Sequence, residues 1–346
     1  MDKNKRLTVW LPVIIAASIA LGIFIGNHYL SISQGKKRSY SSGNKINAIL
    51  DIIDEQYVDT VSMSKLVEST IPKIFSELDP HSVYIPAEDA SVVNEELEGS
   101  FSGIGVSFNM QTDTILVISV ISPAEKAGLL PFDRIISIND SIFSGKKKNQ
   151  GEIMKTLRGA KNSTVKLGVQ RGNSPELLYF DVTRGDVPVN SVDVSYEAAK
   201  GIGYIKVSKF ARNTYNEFIT AIAKLKQAGC TSFVIDLRGN TGGYMDAAIN
   251  MINEFMPEGR LIVYTEGKSF PRSDVYANGT GTCKDAPIVV LTDEISASAS
   301  EIFSGAIQDN DRGTIIGRRT YGKGLVQTQM SLSDGSEMRL TIPRYY

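Results

Sequence analysis

The sequence predicts a multidomain chain of α/β and α+β type, and three observations carry that reading. From Tyr179 onward, strand-like apolar runs alternate with helix-period segments, which argues for a mixed or parallel sheet covered by helices. Between Gly99 and about Arg171, short apolar runs separated by turn residues read as a compact α+β module. At the N-terminus an uncharged run from Leu7 to Ile25 follows Lys3, Lys5 and Arg6; its length is about that needed to span a bilayer. At 346 residues the chain has material for about two domains, each with its own core.

The texture divides the chain into an anchor or signal segment (1–30), a Ser/Gly/basic tether (31–43), a helical region (44–98), the small module (99–172) and a C-terminal core (173–346). An uncleaved anchor is favoured over a signal peptide, because the segment exits through Gly26-Asn27-His28-Tyr29-Leu30 without a small-residue cleavage site. The basic residues abutting it favour an inside N-terminus and an outside body, although Lys36, Lys37 and Arg38 add positive charge on the far side.

In the helical region Ile46, Ile49, Leu50, Ile53 and Tyr57 fall at helical spacing, and Leu66, Val67, Thr70, Ile74 and Phe75 continue it with Pro72 at a kink. Leu78 to Pro86 reads as a rigid turn and extended chain, and Glu88 to Glu98 as a polar helix. In the module, strands are expected at Gly103–Phe108, Thr114–Val120, Arg134–Ile138 and Thr164–Gln170, with helices at Ser122–Gly128 and Glu152–Leu157. In the core, strands are expected at Ile202–Val207, Ser232–Leu237, Leu261–Thr265, Ile288–Leu291 and Thr314–Gly317. Helices are expected at Tyr215–Ala228, near Met245–Phe255 and at Ser298–Asp309.

Composition narrows the chemistry. A net charge of −1 leaves no basic footprint for nucleic acid. Two histidines, His28 and His81, make a histidine metal site improbable and leave His81 as the one candidate for a Ser–His–Asp triad. Cys230 and Cys283 lack metal-type spacing; burial and a disulfide both remain open for them.

The sharpest signal is Thr292-Asp293-Glu294-Ile295-Ser296-Ala297-Ser298-Ala299-Ser300-Glu301-Ile302, where a buried strand meets a small-residue turn and then a helix. A serine there lies beside helix N-terminal N–H groups that stabilise developing negative charge. Ser298 followed by Glu301 also matches a capping box, the commoner meaning of the pattern. Lys323, between Gly322 and Gly324, changes the balance: a lysine with a pKa lowered by burial can serve a serine as base where histidine is scarce. A helix of about twelve residues travels roughly 18 Å, and the strand Thr314–Gly317 with its flanks can return that distance. Gln327 either orients the lysine or is an exposed strand residue. Asp236-Leu237-Arg238-Gly239-Asn240-Thr241-Gly242-Gly243 lacks the ending of a P-loop. It could present an N–H of Gly242 or Gly243 opposite that of Ala299 as an oxyanion hole, or be a tight turn.

These four blocks, Ser-Ala-Ser-Ala-Ser-Glu-Ile, Gly-Ala-Ile-Gln-Asp-Asn-Asp-Arg, Thr-Tyr-Gly-Lys-Gly-Leu-Val-Gln and Asp-Leu-Arg-Gly-Asn-Thr-Gly-Gly, resemble the C-terminal processing peptidases (tail-specific proteases, peptidase family S41). The resemblance runs from Asp79-Pro80-His81-Ser82 to the last residue. It implies a PDZ domain ahead of a crotonase-like or ClpP-like α/β protease core, with Ser298 as nucleophile, Lys323 as general base and Gln327 in support. It further implies that Gly103, Ile104, Gly105 and Val106 form a carboxylate-binding PDZ loop; read alone, the two glycines fit a bulge or turn equally well. Two departures stand out: Pro131-Phe132-Asp133 replaces Pro-Gly-Asp, and the family normally continues beyond Tyr346, so the core is expected to be truncated.

The resulting expectation is a serine endopeptidase without metal or cofactor, anchored in a bacterial-type inner membrane. Its body would be periplasmic, taking the C-terminal tails of loosely folded proteins, with a homodimer possible through residues 44–76. The alternatives are an inactive PDZ adaptor that binds protein C-termini and, more weakly, acyl-CoA chemistry on a crotonase-like sheet.

Overall fold

The computed structural model describes residues 16–23, 42–111, 114–142 and 150–346. Contacts divide the chain into two units, Met1–Thr70 and Ile71–Tyr346. The first contains helices α1 (16–23) and α2 (Ser42–Gln56), and α3 (Met63–Phe75) begins in it. The expected helical periodicity is realised in α2, yet Ile46, Ile49 and Ile52 are about half exposed. Most of the anchor expected at Leu7 to Ile25 lies outside the described residues. Among the described residues no helix is long and apolar enough to cross a membrane.

In the second unit the small module is a sheet of order β3-β4-β5-β7-β8, with β6 (Ser141–Ile142) on β5. The main strands are β3 (Val106–Gln111), β4 (Thr114–Val120), β5 (Arg134–Ile138), β7 (Thr164–Gln170) and β8 (Leu177–Thr183). Alternate residues Ile115, Val117, Ile135, Val165, Leu167 and Val169 point into one core, and α6 (Gln150–Leu157) adds Ile153 and Leu157. The module therefore runs past the expected boundary at 172, because β8 pairs with β7 along its whole length, from Thr164 opposite Thr183 to Gln170 opposite Leu177. Its entrance and exit lie together, as β2 (Ser100–Gly103) pairs antiparallel with β9 (Gly185–Pro188). The expected strand Gly103–Phe108 is divided: Gly103 ends β2, and Gly105, at φ +80°, turns the chain into β3.

The core is built on a five-stranded sheet of order β10-β11-β12-β15-β16. Strands β11 (Ile202–Val207), β12 (Ser232–Asp236), β15 (Ile288–Thr292) and β16 (Thr314–Gly317) run parallel, while β10 (Val192–Ala199) is an antiparallel edge. Helices α7 (Thr214–Gln227), α8 (Met245–Asn253) and α9 (Ala299–Asp309) contribute the covering layer. Phe255 is fully buried and meets Phe218, Phe233 and Phe303 edge-on at ring separations of 6.1, 6.3 and 6.4 Å. Such contacts add direction to the packing beyond apolar area.

One expectation changes here. The strand expected at Leu261–Thr265 does not join the parallel sheet. As β13 (Leu261–Gly267) it belongs to a second sheet, ordered β1-β18-β13-β14 with β17 on β18. That sheet gathers β1 (Val83–Ile85), β14 (Phe270–Tyr276), β17 (Leu325–Ser331) and β18 (Glu337–Tyr345) from distant parts of the chain. Local pattern marks a strand but not its neighbour, which long-range pairing decides.

Arg312 fastens the C-terminal end of the covering layer. Its guanidinium donates to the carbonyls of Phe255 (2.6 Å), Cys283 (2.9 Å) and Ala286 (2.6 Å). Arg312→Met keeps the apolar stem and removes all three bonds, leaving the carbonyls of Phe255 and Ala286 without a partner while that of Cys283 keeps the Ala286 N–H. A loss of about 1–3 kcal/mol is expected, read from the denaturation midpoint at unchanged slope.

Candidate active site

Parallel pairing brings the two chemically marked loops together. Strands β12 and β15 are neighbours, with Asp236 opposite Leu291, and the ladder continues as the Leu237 N–H donates to the Leu291 carbonyl at 2.9 Å. The Gly-rich loop after β12 and the serine turn after β15 therefore leave the same, carboxyl end of the sheet side by side.

The three alternating serines separate by environment. Ser296 and Ser300 are fully buried; their hydroxyls donate to the carbonyls of Leu237 (2.9 Å) and Asn240 (3.0 Å), stitching the turn to the Gly-rich loop. Ser298 is partly exposed and lines a cavity of about 490 Å³ together with Gly243, Ala299, Lys323, Gln327 and Arg339. It stands at φ +56°, ψ −114°, a conformation that costs a non-glycine residue about 1–3 kcal/mol. Its N–H donates to Glu301 Oε2 at 2.8 Å, so the glutamate half of the expected capping box is present. Ala299 opens α9, and its N–H is one of the helix donors with no intrahelical acceptor.

The Gly-rich loop is held by buried polar groups. Asp236 accepts the Tyr204 hydroxyl at 2.6 Å and the Arg238 guanidinium at 2.7 Å. Burial alone would raise the Asp236 pKa, but these hydrogen bonds outweigh it and hold the carboxyl at about 2. Asn240 is fully buried, donates to the Val207 carbonyl at 3.0 Å and accepts the Gly242 N–H at 2.8 Å. That bond corrects one expectation: the Gly242 N–H is already paired and is not available as an oxyanion donor. Gly242 instead allows close approach, since a Cβ there would sit 2.8 Å from Ser298 Cβ and 3.0 Å from the Ala299 nitrogen. The Gly243 N–H finds no acceptor among the described residues, and a Cβ on Gly243 would lie 2.1 Å from the Phe210 carbonyl oxygen.

Lys323 reaches the cavity on a return loop fastened rung by rung to the serine turn. The Arg318 N–H donates to the Thr292 carbonyl (3.1 Å), and that of Tyr321 to the Ser296 carbonyl (3.0 Å). Burial, assisted by the Arg339 cation, pushes the Lys323 amine down from its ordinary range, with Asp79 and Glu301 partly opposing. No hydrogen bond or ion pair of the amine is present among the described residues, and none joins it to Ser298. Gln327 Nε2 donates to Thr341 Oγ1 at 3.1 Å, and that hydroxyl donates to Asp79 Oδ1 at 3.1 Å. Burial raises the Asp79 pKa, but hydrogen bonds from Ser82, His81 and Thr341 prevail and hold it below the usual carboxylate range.

Asp79, Thr341, Arg339 and Tyr345 were not singled out from sequence. Asp79 lies more than two hundred residues before its partner Thr341, so only the pairing of β1 with β18 places it here. His81 does not line the cavity, and Cys230 and Cys283 are buried free thiols. In the small module Gly103, Ile104, Gly105 and Val106 line one groove, where a Cβ on Gly105 would lie 2.5 Å from the Ile121 carbonyl oxygen. Phe132 takes φ +71° and is 75% exposed, so the turn keeps the backbone a glycine would adopt.

Residues 201–346 match the family model for peptidase family S41, and residues 102–194 match that for a PDZ domain. The carboxy-terminal processing protease CtpB of Bacillus subtilis is 34% identical over 87% of this chain and 63% of its own length. A probable CtpA-like serine protease of Staphylococcus aureus is 33% identical over 98% of this chain and 69% of its own. The chain thus spans roughly two thirds of the length of these relatives. The solved structure of a photosystem II D1 C-terminal processing protease aligns with 89% of either chain at 26% identity and a TM-score of 0.48. With the small module in the region matched to the PDZ model and the serine turn and lysine loop in the region matched to the peptidase model, the chain belongs to peptidase family S41 and carries a PDZ domain ahead of its peptidase region.

Proposed function

We propose that this protein is a serine endopeptidase of the carboxy-terminal processing type, with Ser298 as nucleophile and Lys323 as its base. The observation that carries the proposal is one cavity lined by a partly exposed serine at a helix N-terminus and by a lysine whose amine is pushed down by burial. In the first step neutral Lys323 accepts the Ser298 hydroxyl proton as Oγ attacks the scissile carbonyl. The resulting ammonium then gives that proton to the leaving amine, which leaves an acyl-enzyme that water hydrolyses by the same relay. The N–H groups of Ala299 and Gly243 stabilise the tetrahedral oxyanion. The gap between the Ser298 and Lys323 side chains suits a site whose hydrogen bonds tighten once substrate is bound. Gln327, fixed through Thr341 to Asp79, supports the wall on which Lys323 lies.

The groove formed by Gly103 to Val106 holds the C-terminal carboxylate of a protein tail as an added strand. The names of the relatives, which refer to carboxy-terminal processing, agree with a tail as substrate. The uncharged run Leu7 to Ile25 anchors the chain with its body outside the membrane, and the exposed apolar face of α2 offers a surface for a second copy. The parallel strands β11, β12, β15 and β16 support a crotonase-like or ClpP-like reading of the core.

Cleavage of an unfolded protein with an apolar C-terminal tail should fall by at least about 10³-fold in both Ser298→Ala and Lys323→Ala. Wild-type rates in either variant would remove the pair from the mechanism, and an inert parent chain that still binds tails would favour an adaptor.

The pH dependence has a defined sign. Below the pKa of Lys323 the ammonium cannot accept a proton, so activity rises as pH climbs through that pKa. Arg339 pushes the pKa down, so Arg339→Met should move the acid limb of kcat/KM to higher pH. A limb that stays in place would exclude Lys323 as the titrating base.

Gly243→Ala forces the bridge to Phe210 apart and displaces the second oxyanion donor. A fall of about 10²–10³-fold in kcat is expected, with KM changed far less; an equal loss in both would point to substrate binding instead.

A further inference from the structure

Glu301 does more than cap a helix. Its Oε2 accepts the N–H of Ser298 at 2.8 Å and that of Lys323 at 2.9 Å, and its Oε1 accepts the N–H of Gly322 at 2.6 Å. A capping-box glutamate ordinarily serves a donor at the start of its own helix. Here two of the three donors belong to a loop 21 and 22 residues further along the chain. Tyr345, on β18, completes the arrangement from the opposite side. Its hydroxyl donates to the Lys323 carbonyl and lies 3.3 Å from the Ser298 carbonyl oxygen and 3.5 Å from Glu301 Oε2. Residues 298 and 323 are thus both held at the N–H by one carboxylate, and the Tyr345 phenol that binds the Lys323 carbonyl packs against the Ser298 carbonyl as well.

We infer that Glu301 and Tyr345 are positioning residues that fix the nucleophile and its base relative to one another, an inference that rests on the assignment of Ser298 and Lys323 as the reacting pair. Neither needs to touch substrate. Holding the Ser298 N–H also stabilises the positive φ at that residue and leaves the next N–H, that of Ala299, for the cavity. The fixed separation matters because a displacement of about 1 Å between reacting groups can cost about 10²-fold in rate.

The arrangement has an electrostatic signature that a merely structural contact lacks. Three charged groups act on the Lys323 amine: Arg339 from β18, Asp79 from the turn before β1, and Glu301 from α9. Glu301 is one of the two carboxylates that oppose the effect of burial and Arg339. Removing its charge should therefore ease deprotonation of Lys323 while spoiling the geometry.

The test compares the full chain with Glu301→Gln, Glu301→Asp and Tyr345→Phe. The readouts are peptide cleavage and fluorophosphonate labelling of the serine across pH, with melting temperature recorded for each variant. Glu301→Gln should lose about 10²-fold in kcat with KM within about threefold, and its acid limb should move to lower pH. Glu301→Asp keeps the charge but not the reach, so its kcat should fall with the acid limb unmoved. Parental kcat in Glu301→Gln, or a limb that does not shift, overturns the inference. Should Glu301→Gln not fold, Tyr345→Phe decides: a loss of about tenfold at parental melting temperature supports positioning, and parental kcat overturns it. Labelling that persists in Ser298→Ala would sink the assignment of the pair itself, an outcome separate from any result at Glu301.

Discussion

Because β12 and β15 pair in parallel as far as Leu237 and Leu291, the loops that leave them start one hydrogen bond apart. From that rung outward each loop supplies what the other lacks. Ser296, Ser300 and the Ala297 N–H donate to carbonyls of the Gly-rich loop, and the Gly239 N–H of that loop donates to Asp293 at 3.0 Å in return. The serine between them is left to face the cavity. Its strained backbone is tolerable because the surrounding bonds determine it several times over, the condition under which strain persists at functional sites.

Charge is placed with the same economy of partners. Asp236 is fully buried at the end of β12, where an unpaired carboxylate would be very costly; Tyr204 and Arg238 pair it, and Lys206 lies 3.7 Å away. Lys323 is the opposite case. It is left without an ion pair among the described residues, and burial shifts the amine toward its neutral form. One buried group is thereby fixed in charge as structural support, and the other is freed to change charge as chemistry requires.

The PDZ domain is joined to the peptidase region by more than chain continuity. The β2–β9 ribbon forms a two-stranded stem, and α4 (Ala87–Glu98) carries groups that reach both ways. Glu95 pairs with Arg158 of the PDZ domain at 2.6 Å. Glu98 accepts Arg212 at 2.7 Å and the Tyr244 hydroxyl at 2.9 Å, next to the Gly-rich loop. The exposed Glu98–Arg212 pair contributes little stability, typically under about 1 kcal/mol, whereas Glu95 and Arg158 are partly buried.

The sequence by itself determined what depends on neighbours along the chain. The parallel strands β11, β12, β15 and β16, the helices between them and the serine turn at a helix start are all local patterns of period and turn chemistry, and each is present. It also marked the serine turn and Lys323 as candidate chemistry, through the strand-to-helix junction and the scarcity of histidine, while the choice of Ser298 over Ser296 and Ser300 came from the family resemblance. Only the tertiary structure decided which strands share a sheet: β13 left the parallel array for β18, and β1 brought Asp79 to Thr341 across most of the chain. It also decided which N–H groups remain available, since Asn240 takes that of Gly242 and leaves that of Gly243. Strand partnership and donor availability depend on contacts between residues far apart in sequence, which no local periodicity encodes. For the same reason Glu301 read as a helix cap from sequence, while its bonds to Gly322 and Lys323 emerged only once the return loop lay beside the helix.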